Sequence, residues 1–403
     1  MEISTIVWAL FAIVTLVYFF KEGISSLFAL FPQNLEIDKS FSPDISIVMA
    51  MRNEELIVEK AILNWIETDY PNAKKEIVIA DNSDDRTGEI VKKISSDRHD
   101  VKIKYFNPHA NSKIGALHEG IEQASNEIVF ICDADILVGQ DCIKKALPYL
   151  TNEKLGCVFG TRIPIYEGSF LKMMTGLREL YVSVQLQCFS LIDSTPWISL
   201  SPGVFRKTQL LESMKDFDSK IMADDLYMAV ALRTHGYLVK YIPEITARAG
   251  VVGSFRDLWV QHFRGSQAVA QAIVRGYHGS LFLPDMYGSV VVPFKFFTYV
   301  IGYTALPLFL IGSCLTLRFN LLLFYYLIML LFSLTNYVSA RKLTGVKDIR
   351  LLFVTIVYPI TYTIVEVIWS LAWYAWFINP KANVKWTKTT SDRVIAENNR
   401  QSG

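Results

Sequence analysis

The sequence lacks the patterns that mark several common classes of protein. Its five cysteines show no C-x-x-C or other metal-ligand spacing, and their odd number argues against a disulfide framework. No G-x-G-x-x-G follows the first predicted strand and no G-x-x-x-x-G-K-[ST] occurs, which disfavours a dinucleotide fold and a P-loop. With a net charge of only +1, the chain has no basic surplus for binding nucleic acid. Reduced, mostly buried thiols are expected, as in a cytoplasmic domain.

Hydrophobic residues are instead abundant, at 51 % of the 403 residues. Residues 3–20 carry no charge and are long enough for one span of a bilayer. They lack the positive start and the small-residue cleavage site of a signal peptide, so we interpret them as an uncleaved anchor. Lys21 follows at once, which favours the cytoplasmic side for the next segment.

Three further apolar stretches, 289–316, 319–338 and 351–377, predict C-terminal membrane helices. Basic residues between the second and the third place that loop in the cytoplasm, and counting spans from there puts the tail, 378–403, outside. The tail is itself basic, which favours the inside. One stretch is therefore open to being re-entrant, interfacial or doubled, and Pro359 makes the third stretch one candidate.

The segment between the membrane parts alternates predicted strands with predicted helices. Short apolar runs predict strands at 45–50, 76–80, 101–106 and 127–132. Helical patterns lie between them, at 54–68, 85–96 and 113–124. This alternation predicts an α/β domain with a parallel sheet and right-handed crossovers.

Polar and acidic residues follow the predicted strands. Glu54 comes after the first strand, Asp81 after the second, and the pair Asp133 and Asp135 after the fourth. Ligands bind beyond the carboxyl ends of strands in open α/β sheets, and two carboxylates one residue apart can hold a hard divalent cation that carries phosphates. The structural alternatives are a helix-capping turn that begins near Asp81 and an Asx turn at the carboxylate pair.

Further along the chain, three charged or polar groups have both a functional and a structural interpretation. Lys113, where the chain enters a predicted helix, can meet a diphosphate or be a solvated surface lysine. Asp224 and Asp225 precede an apolar run and fit a helix N-terminus, which is also a good place to fix a base. Gln261 and Arg264 lie one turn apart if helical, so they can face one site or form a surface pair.

Taken in order, these residues resemble the motifs of membrane-integrated family 2 glycosyltransferases. That group includes cellulose, chitin, hyaluronan and poly-N-acetylglucosamine synthases and ceramide glucosyltransferases. The matching motifs are Arg52-Asn53-Glu54, Asp81-Asn82-Ser83-Asp84-Asp85, Lys113-Ile114-Gly115-Ala116-Leu117, Asp133-Ala134-Asp135, Ser201-Pro202-Gly203-Val204-Phe205-Arg206, Ala223-Asp224-Asp225 and Gln261-His262-Phe263-Arg264. Each motif is weak alone; their order over residues 45–265 carries the resemblance.

The resemblance implies a GT-A-type, Rossmann-like nucleotide-sugar-binding α/β domain joined to α-helical transmembrane segments. It implies that Glu54 and Asp81 contact the nucleotide and that Lys113 lines the donor site. It also implies that Asp133 and Asp135 hold the diphosphate together with Mg²⁺ or Mn²⁺. The donor is expected to be a nucleotide sugar, and UDP is the nucleotide that the family favours.

For the transfer step, the resemblance makes Asp225 the general base, with Asp224 beside it. Like-charge repulsion between the two would raise the pKa of one of them. Gln261 and Arg264 match the first and last polar positions of the Q-x-x-R-W motif and are expected to help bind the donor. His262, between them, is expected to be packed or solvated and not a ligand.

Three positions depart from the family pattern, and one of them, Asn82 in place of a frequent aspartate, should matter little. Asp224 stands where the family has glutamate, which keeps the charge and shortens its reach. Gly265 stands where Q-x-x-R-W has tryptophan. In polymerising members that ring sits near the acceptor sugar, so either elongation is lost or another ring takes its place.

The sequence therefore predicts an inverting, metal-dependent glycosyltransferase that extends a polysaccharide at the cell membrane, from a catalytic domain on the cytoplasmic side. The alternatives are transfer of one sugar to a membrane lipid and, as a minor one, a non-catalytic transport or scaffold protein. Membrane lipids are expected partners and nucleic acid is not. The predicted parts are an anchor (1–20), a linker or interfacial segment (21–44), the transferase domain (45–265), an interfacial helix region (266–288), membrane helices (289–377) and a tail (378–403).

Overall fold

The computed structural model describes residues 3–200, 202–215, 222–276 and 283–379. Almost all of the predicted tail lies outside the described residues, as does the segment 277–282 of the predicted interfacial region. In the described residues all five cysteines are free thiols, and three of them are buried. This agrees with the expectation of reduced, mostly buried thiols.

One eight-stranded sheet forms the centre of the domain, with strand order β3-β2-β1-β4-β7-β6-β8-β5. In chain order the strands are β1 (Ile45–Met51), β2 (Lys75–Asp81), β3 (Lys102–Phe106), β4 (Ile128–Ile131), β5 (Ile136–Val138), β6 (Leu155–Ile165), β7 (Gly203–Arg206) and β8 (Leu238–Gly250). In chain order the α-helices are α1 (Ile3–Tyr18), α2 (Ser25–Phe28), α3 (Val58–Ile66), α4 (Thr87–Asp97), α5 (Lys113–Gln123), α6 (Cys142–Ala146), α7 (Phe170–Leu191), α8 (Lys207–Ser213), α9 (Asp224–Thr234), α10 (Phe255–Gly276), α11 (Val292–Phe297), α12 (Tyr303–Leu315), α13 (Phe319–Thr344) and α14 (Arg350–Ile378).

The parallel half of the sheet, β3-β2-β1-β4, confirms the predicted α/β pattern. β1 pairs in parallel with β2 and with β4, and β2 pairs in parallel with β3. Along β1, Ile47 and Met49 enter the core on one face, while Val48 enters a second core on the other face. Both faces are therefore buried, which explains why these strands read as unbroken apolar runs.

The mixed half of the sheet, β7-β6-β8-β5, departs from the predicted parallel arrangement. β7 is antiparallel to both β4 and β6, and β5 is antiparallel to β8. The long strands β6 and β8 pair in parallel with two shifts of register. At one of these shifts a Cβ on Gly160 would lie 1.9 Å from the carbonyl oxygen of Ile245, so only glycine allows the close approach.

Among the described residues, four helices are long and apolar enough to cross a membrane: Ile3–Phe28, Tyr287–Leu315, Phe319–Thr344 and Arg350–Ile378. The first continues from α1 through a π-helical turn into α2, so it extends beyond the predicted end at residue 20. The helix Arg350–Ile378 is unbroken, so Pro359 does not divide it. On which side of a membrane the loops lie stays a prediction.

Serine side chains from neighbouring helices satisfy the carbonyls that the two internal prolines leave without a donor. Pro307 of α12 cannot donate to the carbonyl of Tyr303, and Ser370 Oγ of α14 donates to it at 2.6 Å. Pro359 cannot donate to the carbonyl of Thr355, and Ser333 Oγ donates to that oxygen at 3.3 Å. Proline is tolerated in apolar helices when side chains of neighbouring helices re-satisfy the backbone.

Two helices join the sheet to these apolar helices. α7 packs on β6 and also on α13 and α14, and its Leu177 and Tyr181 belong to the apolar core that the candidate membrane helices share. It is a buried core helix over most of its length. α10 packs along α14 and touches α9, so it connects the candidate membrane helices to the helices of the sheet domain.

Candidate active site

A polar cavity of about 240 Å³ lies where the parallel strands end. It is lined by Arg52, Asn82, Ser83, Asp84, Asn107 and Asn111. The loops after β1 and β2 brace each other there, because the Asn53 N–H donates to Ser83 Oγ at 2.7 Å and the Asp84 N–H donates to Asn53 Oδ1 at 2.8 Å. Asn53 has a φ of 58°, in the left-handed region that asparagine tolerates. The cavity offers mainly amide and hydroxyl groups, which suit a base or a ribose.

Asp81, the last residue of β2, directly precedes Asn82 and Ser83 of the cavity and is itself buried. One carboxylate oxygen accepts from Ser83 Oγ and from the Ser83 N–H, and the other accepts from Tyr105 OH at 3.0 Å. Its side chain therefore positions the loop that lines the cavity. A direct contact between Asp81 and a nucleotide stays a prediction, as does the role of Glu54, whose N–H donates to Thr87 Oγ1 at 2.8 Å.

The segment Asp133-Ala134-Asp135, here called the DxD turn, connects β4 to β5. Ala134 is buried, whereas the two aspartates on either side of it are half-buried. The Ile136 N–H donates to the Asp133 carbonyl at 3.3 Å and closes the turn through the backbone. Burial of the alanine thus presents both carboxylates at the carboxyl end of the sheet.

Lys113 connects the DxD turn to α9. Its Nζ lies 2.8 Å from Asp133 Oδ1 and 2.9 Å from Asp224 Oδ2. Burial alone would lower the pKa of Lys113, but the two carboxylates outweigh it and raise that pKa well above its usual range. The lysine is fixed as a cation between two parts of the site, which excludes the solvated surface lysine that the sequence left open.

Asp224 and Asp225 form the first turn of α9, as the sequence predicts. Asp225 Oδ1 accepts from the Leu226 N–H at 2.7 Å, and this bond orients the carboxylate. Burial, together with the charge of Asp224, raises the pKa of Asp225 to about 6. The carboxylate is thus ionised at neutral pH, yet basic enough to take a proton.

Arg162 of β6 is a site residue that the sequence did not reveal. The acidic groups that influence it are Glu179, Asp135, Asp133 and Asp225, which together outweigh the effect of burial and raise its pKa. It therefore lies among the carboxylates of the DxD turn and of α9. A signal was present in Thr161-Arg162-Ile163, because an arginine inside a buried strand is rarely there without acidic partners.

α10 carries Arg264 toward α9, and Gln261, one turn earlier on the same helix, is half-buried. Ala268, one turn beyond Arg264, packs in an apolar cluster with Ala223 and Leu226 at the start of α9. Because residues four apart share a helix face, Arg264 is on the face that meets α9. The Ser254 and Asp257 side chains bond each other at 2.8 Å and close the first turn of this helix.

His262 and Gly265 face α14 instead. Trp369 Nε1 of α14 donates to His262 Nδ1 at 3.1 Å, and burial lowers the pKa of His262 well below its usual value. His262 is therefore packed, as predicted. A Cβ on Gly265 would lie 3.5 Å from the ring of Trp369, so this ring occupies the space into which a larger residue 265 would extend.

Within the described residues, no three histidine, cysteine, aspartate or glutamate side chains are grouped closely enough to hold a metal ion by themselves. The carboxylates of the DxD turn and of α9 nevertheless outnumber the cations beside them, Lys113 and Arg162. Hard divalent cations are commonly bound by one or two carboxylates plus substrate phosphates. The donor set therefore fits a Mg²⁺ or Mn²⁺ ion that arrives with a diphosphate.

Comparison with known proteins shows what part of the chain is similar to. Residues 46–205 match the family model described as Glycosyl transferase family 2. Poly-beta-1,6-N-acetyl-D-glucosamine synthase of Staphylococcus epidermidis is 28 % identical over 241 residues, which are 59 % of this chain and 57 % of that protein. Beta-monoglucosyldiacylglycerol synthase of Synechocystis is 23 % identical over 227 residues, 56 % of this chain and 47 % of that protein. The chain thus spans about half the length of these curated relatives.

Among solved structures, the mannosyltransferase PcManGT of Pyrobaculum calidifontis, in complex with GDP-Man and Mn²⁺, has the same fold. The superposition gives a TM-score of 0.67 at 18 % identity and covers 94 % of this chain and all of that one. The predicted GT-A-type fold is confirmed. The family match over residues 46–205 and the shared fold show that the chain contains a family 2 glycosyltransferase domain.

Proposed function

We propose that the protein is an inverting, metal-dependent glycosyltransferase that moves a sugar from a nucleotide sugar to an acceptor in the membrane. The observation that carries this proposal is the pair of contacts that Lys113 makes with Asp133 and Asp224. It brings the carboxylates of the DxD turn and of α9 to one place, at the edge of the sheet where the polar cavity lies. Donor-binding groups and a candidate base are thereby close enough to act on one bond.

For the donor, the polar cavity would take the nucleoside. Lys113 and Arg264 would meet the diphosphate, whose negative charge grows as the sugar leaves. Asp133 and Asp135 would hold Mg²⁺ or Mn²⁺, which when bound neutralises that charge. A uridine nucleotide is the expectation that the family resemblance supplies.

For the transfer, Asp225 would act as general base. The acceptor oxygen forms a bond to the anomeric carbon while the bond from that carbon to the diphosphate oxygen breaks. The electron pair leaves with the nucleoside diphosphate, and the acceptor proton passes to Asp225. Its pKa of about 6 suits this task at neutral pH. A single displacement of this kind inverts the anomeric centre.

For the acceptor, two candidates remain from the sequence, a growing polysaccharide and a lipid. The relatives include a polysaccharide synthase and a glycolipid synthase. Gly265 favours the lipid, because it leaves no ring at the position that the resemblance assigns to the acceptor sugar. The neighbouring ring of Trp369 is held by His262, so it is not free to turn toward a second sugar.

Product size from purified protein in lipid nanodiscs tests both parts of the proposal. The protein is supplied with Mg²⁺ or Mn²⁺ and a panel of radiolabelled nucleotide sugars, and a parallel reaction contains EDTA. One labelled glycolipid that does not grow, and that EDTA abolishes, is the expected result. Long glycosidase-sensitive chains would support the polysaccharide synthase instead. Labelled product of unchanged yield in EDTA would refute metal dependence.

A further inference from the structure

A lysine within a candidate membrane helix has no role in the transfer chemistry described above. Lys295 belongs to α11, inside the helix Tyr287–Leu315, and is half-buried. Its Nζ lies 4.2 Å from the ring centre of Trp197 and 5.0 Å from that of Phe189. A charged side chain inside an apolar helix is costly, and such residues usually serve a site and have a definite partner.

No carboxylate of the described residues lies within ion-pair distance of Lys295. The acidic groups whose charge reaches it are Glu22 and Glu366. Glu366 is held by Lys21 Nζ at 2.8 Å and Tyr18 OH at 3.1 Å.

Glu22 is likewise engaged by other groups. Its Oε1 accepts from Tyr362 OH at 2.7 Å and from Gln185 Nε2 at 3.0 Å. Both glutamates therefore have closer partners, and aromatic rings are the close partners of the Lys295 ammonium within the described part of the chain. Rings attract a cation but do not accept its hydrogen bonds as an anionic oxygen would.

The position of this ammonium relative to the base is the second observation. The residue after Trp197, Ile198, donates its N–H to the carbonyl of Asp225 at 3.3 Å. Trp197 and Phe189 also belong to the apolar cluster that joins the start of α9 to Tyr287 in the candidate membrane helix. One apolar surface thus extends from the proposed base to the candidate membrane helix. Lys295 contacts this surface through the rings of Trp197 and Phe189.

We propose that Lys295, framed by Trp197 and Phe189, binds the phosphate of an anionic lipid whose head group then lies beside Asp225. The inference rests on the proposed function, because it names the class of acceptor for the same site: an amphiphile with a phosphate and a free hydroxyl. The rings and the apolar surface would contact the acyl chains, and the ammonium would pair with the phosphate. Arginine at 295 would keep this pairing, and glutamine would lose it.

Lipid binding without any donor tests the inference. The full chain is placed in phosphatidylcholine nanodiscs with either phosphatidic acid or diacylglycerol of the same acyl chains, and native mass spectrometry measures the bound lipid. Wild type is expected to retain phosphatidic acid about tenfold more tightly than diacylglycerol, and K295Q should lose that difference. K295R should keep it. K342Q, which removes an exposed charge at the end of α13, is the matched control and should bind like wild type.

Three results would overturn the inference. Equal retention of phosphatidic acid by wild type and K295Q would show that Lys295 does not bind the phosphate. Equal loss in K342Q would show attraction to the surface alone. Full competition by water-soluble glycerol 3-phosphate at equal concentration would make a free phosphate compound, and not a lipid, the ligand. Nucleotide affinity measured on the same K295Q sample confirms that the variant is folded.

Failure of the proposed function looks different. If no sugar is transferred, yet phosphatidic acid depends on Lys295, the lipid site stands and the glycosyltransferase proposal fails. If transfer proceeds normally in K295Q and lipid retention is unchanged, the inference alone fails.

Discussion

In the parallel half of the sheet, the site residues follow directly after strands, whereas in the mixed half they come from helices and from the middle of a strand. Asp81 ends β2, and the DxD turn comes one residue after β4. Asp225, by contrast, begins α9, and Arg162 lies inside β6. We therefore expect the parallel half to bind the donor with groups that follow from local chain order. We expect the mixed half to contribute the base, which tertiary packing brings to the site.

Lys113 connects the two halves of the site. Lys113 starts α5 on the parallel side, yet its ammonium reaches Asp224 on the other side. Changes in the mixed half should therefore damage turnover, and changes in the parallel half should damage donor binding. The predictions below separate these two effects, from the largest to the smallest.

Asp225→Asn should reduce kcat by about a thousandfold, because loss of a general base typically costs 10²–10⁴ in rate. Donor affinity should stay near wild type, since the change lies in the mixed half. Turnover and nucleotide binding are measured on the same preparation. Asp97→Asn, an exposed carboxylate at the end of α4, is the control and should have no effect. Near-normal turnover in Asp225→Asn would remove this residue from the base role.

Lys113→Met should weaken donor binding by about ten- to a hundredfold, as expected for a lost charged contact. It also leaves Asp133 and Asp224 without their shared cation, so thermal stability should fall as well. Nucleotide titration by calorimetry measures the first effect. Lys93→Met, on the exposed side of α4, serves as the control. If donor affinity is unchanged, the lysine is only a structural bridge between the two halves.

The rate at saturating donor should depend on pH through Asp225. Its folded pKa is raised to about 6, and the base is active only when ionised. The rate should therefore be level above this pH and fall about tenfold per unit below it. Asp224→Asn removes a neighbouring negative charge and should move the inflection to lower pH. A pH–rate profile with an unmoved inflection would show that Asp224 does not influence the base.

Ser370→Ala should lower the free energy of unfolding by about 1 kcal/mol, since it removes one hydrogen bond between apolar helices. The carbonyl of Tyr303 would lose the donor that replaces the missing N–H of Pro307. Thermal denaturation in nanodiscs measures the shift, and Ser96→Ala on the protein surface is the control. Donor affinity should not change, because this contact joins α12 and α14 and does not involve the parallel half of the sheet.

Much of the parallel half could be predicted from the sequence. The runs at 45–50 and 76–80 are buried on both faces, so their composition alone marks them as central strands. The position of the DxD turn then follows from the general placement of ligands at strand ends. The helix predicted over 113–124 begins at Lys113 as expected, and Ser112 accepts from the Gly115 N–H at this start.

The mixed half could not be predicted in the same way. β6 and β8 are far apart in the chain, and nothing local reveals that they pair or that Arg162 thereby joins the site. The packing of Trp369 against Gly265 likewise depends on how α14 lies along α10. Motifs indicated Asp225 and Arg264, but only through resemblance, and their roles stay predictions.

During synthesis, the two proline-containing helices obtain their serine donors at different times. The carbonyl of Tyr303 has no serine donor until Ser370 is synthesised, 67 residues later. The carbonyl of Thr355 finds Ser333 already made. Arrival of α14 therefore supplies the missing donor to α12 and receives its own from α13. In a chain truncated before residue 370, the carbonyl of Tyr303 would lack this donor within a candidate membrane helix, where an unpaired carbonyl is costly.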